Sequence, residues 1–482
     1  MSWHRFQPSL LIIFLVGVGF VFRAYPHIWL VPKFIVEEAY NYQTVRDLIL
    51  TGSSPQAGFY PMLEHQLIYY AWMITNLDPV ALSVYANPLL GAITVIPLYY
   101  VLRHTLTQRQ ALLGCGLWAL SEAAFYRSAY FGSTEALGFL FSLGALAAYQ
   151  RKRYIVTAPL LLLGAVSHLL PTAFTFGVVC ADFVLKATTR QRLGIGAIIL
   201  CAVAVFFSPL NPHQRLMTSL TPQYLLGNFG SFSIYGLWEV LGAVFIFGGF
   251  VAIAFAAAWG WIKNDKNQLM NVYLLLAAGL FVFSWIDYQP NVFAPPRLTF
   301  YFLVPFIYYA STWINAKNVA AICILAVASS YVGCPMMLMT DKTLPLSEYE
   351  ALDELSEMGI IGNTGWWLAD YPVKTVLGIY STKSSLWEVP FNGTAITLTA
   401  DRLNKTLTGE VEFVNGSPPF IYPYQYVYLS ERMECGAFLV TNTEGRSIQR
   451  IQPIKDIWAG TPMWKLVYEG HGVKVYHYEG FI

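Results

Sequence analysis

A chain of 482 residues that is 56% hydrophobic and only 12% charged, with a mean hydropathy of +0.48, carries more apolar surface than one soluble core can hide, so lipid must be part of its solvent. A net charge of +1 excludes nucleic acid and other polyanions recognised by bulk charge. Six cysteines with neither a CxxC pair nor metal-type spacing exclude a zinc ribbon; Cys115, Cys180, Cys201 and Cys323 sit in apolar runs, and only Cys334 and Cys435 are placed to meet as a disulfide.

Taken in chain order, windows long enough to cross a hydrocarbon layer ~30 Å thick give about eleven spans. They lie near 8 to 24, 81 to 102, 110 to 128, 132 to 149, 154 to 170, 171 to 187, 193 to 209, 234 to 260, 268 to 285, 298 to 315 and 318 to 335. The first run, LLIIFLVGVGFVF, is followed at once by Arg23 and by no small-residue cleavage site, so it reads as an uncleaved helix and not as a secretion signal. Charge density then doubles: 29 charged residues precede Met336 and 28 lie in the shorter remainder, which marks a membrane domain over 1–335 and a soluble domain over 336–482. Twelve basic residues, among them Arg103, Arg109, Arg151, Lys152, Arg153, Lys186 and Lys263, fall in one set of alternate loops, against six in the other. Because Lys and Arg are retained on the cytoplasmic side, the N-terminus is cytoplasmic and the C-terminal domain extracytoplasmic. Sequons at Asn392, Asn404 and Asn415 agree. That domain opens with an amphipathic helix pattern, SEYEALDELSEMG, and continues as strands and glycine-containing hairpins such as MWKLVYEGHGVKVYHYEG. The expected fold is a polytopic α-helical membrane protein with a C-terminal extracytoplasmic α+β or β-rich module.

Acidic residues are distributed more unevenly than basic ones. Of the eleven before Met336, nine (Glu37, Glu38, Asp47, Glu64, Asp78, Glu122, Glu135, Glu239, Asp287) fall on the outer side, with Asp182 and Asp265 inner, an asymmetry that topology rules do not demand. In VPKFIVEEAYNYQTVRDLILTG, Tyr42, Val45, Leu48 and Ile49 recur at helical spacing, predicting an amphipathic helix lying in the membrane interface with Glu37 and Glu38 at its start. There the helix dipole favours carboxylates by ~0.3–1 kcal/mol each. The pair either forms an acidic site or merely caps and solubilises that helix. Glu135, in GSTEALGFLFSLGALAAYQRKR, begins an otherwise apolar helix and so should face protein or water; Arg127 is placed to neutralise it. Arg297, in DYQPNVFAPPRLTFYFLVP with Asp287 and Tyr288 upstream, either anchors its helix at headgroup level or clamps a phosphate with its planar fork of donors. His168, before a proline in an apolar helix, reads as a core residue or as support for the site.

These outer segments, in this order, resemble the GT-C superfamily of membrane glycosyltransferases, which take a sugar from a polyprenyl-phosphate or polyprenyl-diphosphate carrier. EEAYNYQTVRDLILTG is similar to the first-loop acidic motif of oligosaccharyltransferase catalytic subunits, where an Asp stands four residues before an Asn-Tyr pair; Glu37 takes that place before Asn41 and Tyr42. It also resembles the Asp-Glu pair of protein O-mannosyltransferases and aminoarabinose transferases, matched by Glu37 and Glu38. GSTEALG resembles the second acidic motif, with Glu135 as its first carboxylate, and PPRLTFYFLVP resembles the segment carrying a phosphate-facing arginine, here Arg297. The resemblance implies a polyprenyl-phosphate-sugar donor, a glycan, lipid or protein acceptor, a prokaryotic cell membrane of archaeal type, and Glu37 and Glu135 as ligands of any divalent cation (Mg or Mn). Two departures bear on the substrate. Leu137 stands where the second carboxylate of the motif belongs, and the WWDYG signature appears only as Trp366-Trp367-Leu368-Ala369-Asp370-Tyr371. Together they point to transfer of a single sugar by a metal-independent relative over transfer of a whole oligosaccharide.

The expected chemistry is inverting: Glu37, or failing that Glu38, takes the proton of an acceptor hydroxyl while Arg297 stabilises the departing lipid phosphate. A transporter would share the spans but should show two similar halves, and the sequence has no such duplication. A non-catalytic envelope protein would leave the three outer glutamates without a role.

Overall fold

The computed structural model describes residues 8–25, 36–52, 63–121, 135–186, 248–263, 267–286, 295–313, 344–361, 366–369, 394–397, 426–431, 439–441, 448–450 and 464–479, with 27, 124, 128, 188, 373 and 377. The chain divides into two compact units: Met1–Leu30 with Thr51–Met337, and Val31–Leu50 with Leu338–Ile482.

The first unit is helical. Its described helices are α1 (Pro8–Tyr25), α3 (Leu63–Thr75), α4 (Pro79–Ile93), α5 (Val95–Leu102), α6 (Gln108–Leu120), α7 (Glu135–Gln150), α8 (Tyr154–Ser167), α9 (Leu169–Lys186), α10 (Gly248–Lys263), α11 (Gln268–Ile286) and α12 (Pro295–Trp313), while α2 (Val36–Thr51) falls largely in the second unit. Among the described residues, three stretches are long and apolar enough to cross a membrane: Pro8–Tyr25, Ala81–Leu102 and Leu169–Lys186. Shorter apolar helices cover Tyr154–Ser167, Gly249–Lys263 and Gln268–Phe281. The spans expected at 193 to 209 and 318 to 335 lie outside the described residues. Within the one expected at 110 to 128, helix α6 ends at Leu120 and Ser121 turns to extended backbone, and most of 122 to 128 lies outside the described residues.

Local chemistry sets these boundaries. Pro97 has no N–H for the carbonyl of Ile93, so the 81–102 stretch breaks there into α4 and α5. Thr107 and Gln110 start α6 with a reciprocal capping box. Gly260 lets α10 and α12 touch backbone to backbone, since a Cβ there would lie 2.0 Å from the Tyr309 carbonyl oxygen. The fully buried Arg23 guanidinium ties α1 to α6, donating to Ser128 Oγ (2.8 Å) and to the carbonyls of Ala119 (2.8 Å), Trp118 (3.3 Å) and Gly19 (3.1 Å). An arginine that loop position placed at the outer surface is instead a cross-brace inside the bundle.

In the second unit, α13 (Leu346–Glu357) buries Tyr349, Ala351, Leu352 and Leu355 on one face. The strands are β1 (Trp366–Ala369), β2 (Thr394–Thr397), β3 (Tyr426–Ser430), β4 (Leu439–Thr441), β5 (Ile448–Arg450), β6 (Trp464–Gly470) and β7 (Val473–Tyr478). Five of them form a mixed sheet of order β2-β1-β3-β7-β6, parallel at β1 and antiparallel around β7; β4 and β5 pair separately. Helix α2 differs from its expected amphipathic form. Asn41, Thr44 and Arg46 are as buried as Tyr42, Val45 and Leu48, so protein covers it on both faces and it does not lie with one side against lipid. The three sequons and the Cys334 and Cys435 pair lie outside the described residues.

Candidate active site

The sharpest juxtaposition in the helical unit involves Glu135. It is the first residue of α7 and is 2% exposed, with its Oε1 3.8 Å from Nε2 of His168. His168 sits where one long apolar stretch breaks into α8 and α9. Its backbone is extended (φ −160°, ψ 121°), its N–H donates to the Gly164 carbonyl, and its own carbonyl accepts from Thr172 Oγ1. A break in a membrane helix leaves backbone groups that need partners, and Thr172 supplies one. Gly138, one turn after Glu135, makes the approach sterically feasible, since a Cβ there would lie 2.8 Å from His168 Cβ.

Arg297 occupies the first turn of α12. That turn adjoins the start of α7: Phe139 packs edge-on against Phe300 with ring centroids 4.1 Å apart, and against Tyr301 at 5.2 Å. Phe139 lies four residues after Glu135 and Phe300 three after Arg297, so both helices begin side by side. Their far ends also meet the same neighbour: Tyr149 of α7 and Asn267 line one cavity, and Tyr308 of α12 shares hydrogen bonds with Thr105 and Asn267. The two helices therefore run in the same direction, and their first turns approach through Phe139, Phe300 and Tyr301. Paired helix N-termini are a ready-made environment for an anion.

Glu37 and Glu38 occupy the first turn of α2, at its positive end. They belong to the second compact unit and Glu135 to the first. Arg127, Asp287 and Tyr288 lie outside the described residues. Trp367 is fully buried at the centre of the mixed sheet, stacked on Tyr426 at 4.5 Å and 16°, which makes it a core residue of that domain.

Another of the nine outer carboxylates is buried, which the sequence pattern does not indicate. Glu64, in the first turn of α3, is 1% exposed and neither oxygen has a hydrogen-bond partner. With 13 residues α3 is too short to span a bilayer, and burial holds the Glu64 carboxyl well above the usual carboxylate range. Beside it, burial pushes His65 down to about 4. The signal available was an adjacent Glu-His pair opening a helix just past Pro61.

Among the described residues no group of three or more His, Cys, Asp or Glu is arranged to hold a metal ion. Glu135 with His168 supplies one carboxylate and one imidazole, short of the oxygen-rich shell that Mg or Mn prefers, and the second carboxylate of the motif is the buried Leu137. Among the described residues, Glu135 and His168 alone do not complete a shell for a hard divalent cation.

No protein-family model matches the sequence, and no curated protein matches it. Solved structures do match. The archaeal oligosaccharyltransferase AglB from Archaeoglobus fulgidus, in complex with an inhibitory peptide and a dolichol-phosphate, has a TM-score of 0.55 at 12% identity, over 94% of this chain and 75% of that one. ArnT from Cupriavidus metallidurans bound to undecaprenyl phosphate has a TM-score of 0.56 at 12% identity, over 97% of each chain. This chain shares the fold of these two proteins. The arabinofuranosyltransferase AftD from Mycobacteria also matches (TM-score 0.52, 12% identity), over 98% of this chain and 40% of that one. The Archaeoglobus enzyme is also known in complex with Zn and sulfate.

Proposed function

We propose that the protein is a membrane glycosyltransferase that moves one sugar from a polyprenyl-phosphate carrier to an acceptor hydroxyl on the extracytoplasmic side, with inversion. The observation that carries this reading is the buried Glu135 facing the half-buried His168, close to the first turns of α7 and α12 where Phe139 meets Phe300, on the fold of lipid-linked glycosyltransferases. Glu37, or failing that Glu38, takes the acceptor proton as the acceptor oxygen bonds to the anomeric carbon. The carbon–oxygen bond to the lipid phosphate breaks, and the phosphate leaves with the electron pair. Its charge is met by Arg297 and by the two helix N-termini, so no protonation of the leaving group is needed. Glu135, oriented by His168, holds a sugar hydroxyl or the acceptor; 3.8 Å is also wide enough for a bridging water. Burial of the donor's headgroup at the end of a helical bundle keeps its polyprenyl tail in lipid throughout.

The departures noted in sequence favour a single sugar. Trp367 is taken up by the sheet core, leaving it no part in recognising a peptide sequon. No step above passes through a metal, and EDTA should leave turnover unchanged.

The test is sugar transfer from a synthetic polyprenyl-phosphate donor by purified protein. Glu37→Gln and Glu135→Gln should each lose ~10²–10⁴-fold in kcat, the range of a positioned proton-transfer group, with the melting temperature retained. Arg297→Ala should lose donor binding together with rate. Full turnover by Glu135→Gln would sink the reading.

A further inference from the structure

At the far end of α7, about 21 Å from Glu135 by helix rise, lies a second site of different chemistry. The C-terminal ends of α5, α7 and α9 and the starts of α8 and α11 line a half-open pocket of about 400 Å³, with the exposed His104, Lys152 and Lys186 around it and Asn267 and the buried Asp182 in its wall. Asp182 is fully buried, and one of its oxygens accepts both from the Tyr149 hydroxyl (2.9 Å) and from Lys186 Nζ (2.7 Å). Its negative charge is thus matched by Lys186. Lys152 has no such match: among the described residues its ammonium makes no ion pair and no hydrogen bond.

The backbone gives an independent reason to single out Lys152. It ends α7 with φ +57°, its N–H donating to the Tyr149 carbonyl and the next N–H to that of Ala148, the geometry at which helices favour glycine. A lysine there carries a conformational cost that glycine would not. The surroundings are electropositive as well. Burial first, then the nearby Arg151 and Lys186, hold the His104 imidazole below its ordinary value. Arg151 is itself fixed by donation to the carbonyls of Ala147 and Tyr100.

We propose that this cavity binds a phosphate group, with Lys152 as its counter-ion and Lys186 and His104 as further donors. A tetrahedral anion has enough acceptor oxygens to meet all three at once. The phosphate comes either from an anionic lipid headgroup at that membrane surface or from a free phosphate. The site is independent of sugar transfer, since it sits at the opposite end of the bundle from Glu135.

Full-length protein in detergent is titrated with phosphatidic acid, with diacylglycerol as the phosphate-free counterpart, and with inorganic phosphate, reading bound lipid by native mass spectrometry and melting temperature by scattering. Phosphatidic acid should bind and diacylglycerol should not, and Lys152→Gly should weaken that binding about tenfold, the worth of one charged contact. Because glycine suits the backbone at 152, the ligand-free variant should melt no lower than wild type; Lys152→Asn, also tolerant of that φ, is the second variant. Competition by millimolar inorganic phosphate assigns the site to free phosphate, and its failure to compete assigns it to lipid. Equal binding of both phosphate probes by wild type and the two variants overturns the proposal.

Discussion

An arginine buried in an apolar bundle is stable only when its donors are used, because an unsatisfied buried charge costs several kcal/mol. Arg23 meets that condition through Ser128 Oγ and three carbonyls drawn from α1 and α6, and it can do so because Gly91 leaves room: a Cβ there would fall 2.3 Å from Ser128 Cβ. Arg23→Met keeps the volume but strands those acceptors, so it should lower stability by about 3 kcal/mol in thermal or denaturant unfolding. A variant as stable as wild type would return Arg23 to the role of surface anchor. Glu64 poses the inverse case, a carboxyl buried without a partner. Its folded pKa is raised, so it favours the folded state below the carboxylate range and works against it as pH climbs; Glu64→Gln should therefore match or exceed wild-type stability at pH 7. At this scale the sequence shows which charges interrupt apolar runs, which is why Glu135 and Arg297 stood out. It does not show burial or pairing. The sequence leaves His168 open between a core histidine and support for the site, and the helix break beside Gly138 is what brings it to Glu135.

Among the elements, the β6–β7 hairpin shows how a turn is tuned by charge. His471 and Gly472 both have positive φ (54° and 71°), the two-residue turn that matches the twist of the strands and for which Asn-Gly is preferred. Histidine takes the place of asparagine and its ring bridges to α13, with Nε2 2.9 Å from Glu354 Oε1 and Nδ1 3.1 Å from Glu350 Oε2, while Tyr468 donates to the other Glu354 oxygen. The hydrogen bond to Glu354 raises the His471 pKa above 6.5; burial opposes this, and the charges of Glu354 and Glu350 add to it. A raised folded pKa means that the clamp is at full strength below about pH 6.5 and is lost as pH rises through the higher folded value. Amide exchange across 464–478 should accordingly quicken on going from pH 6 to pH 8.5, after correction for intrinsic rates. His471→Asn, which preserves the turn, should abolish that dependence. Alternation and the glycine turn made this hairpin legible in the sequence, as the i, i+3, i+4 pattern did α13. Helix α2 was legible as a helix but not in its setting, because one apolar face in a sequence does not reveal that polar Asn41, Thr44 and Arg46 will be covered too.

For the whole molecule the governing fact is the separation of two ends by apolar helix. From Ala81 to Leu102 the chain climbs 22 residues, about 33 Å, the thickness of a hydrocarbon layer, so the turn at 76–78 and the turn at 103–107 face opposite aqueous phases. Helix α7, 16 residues long, carries Glu135 at one end and the basic Arg151, Lys152 and Arg153 beyond the other. The proposed reaction requires the end with the twofold excess of basic residues to be cytoplasmic and Glu135 and Arg297 to face outside, where a lipid-linked donor can be used without access to soluble nucleotide sugars. Exposed Asn76 and exposed Arg153 report the two ends without touching either site. In a cysteine-free background, Asn76→Cys should react with a membrane-impermeant maleimide in intact cells, and Arg153→Cys only once the membrane is opened. The reverse pattern would place the phosphate cavity outside and the Glu135–His168 pair in the cytoplasm, and the proposed reaction would then have its donor on the wrong side of the bilayer.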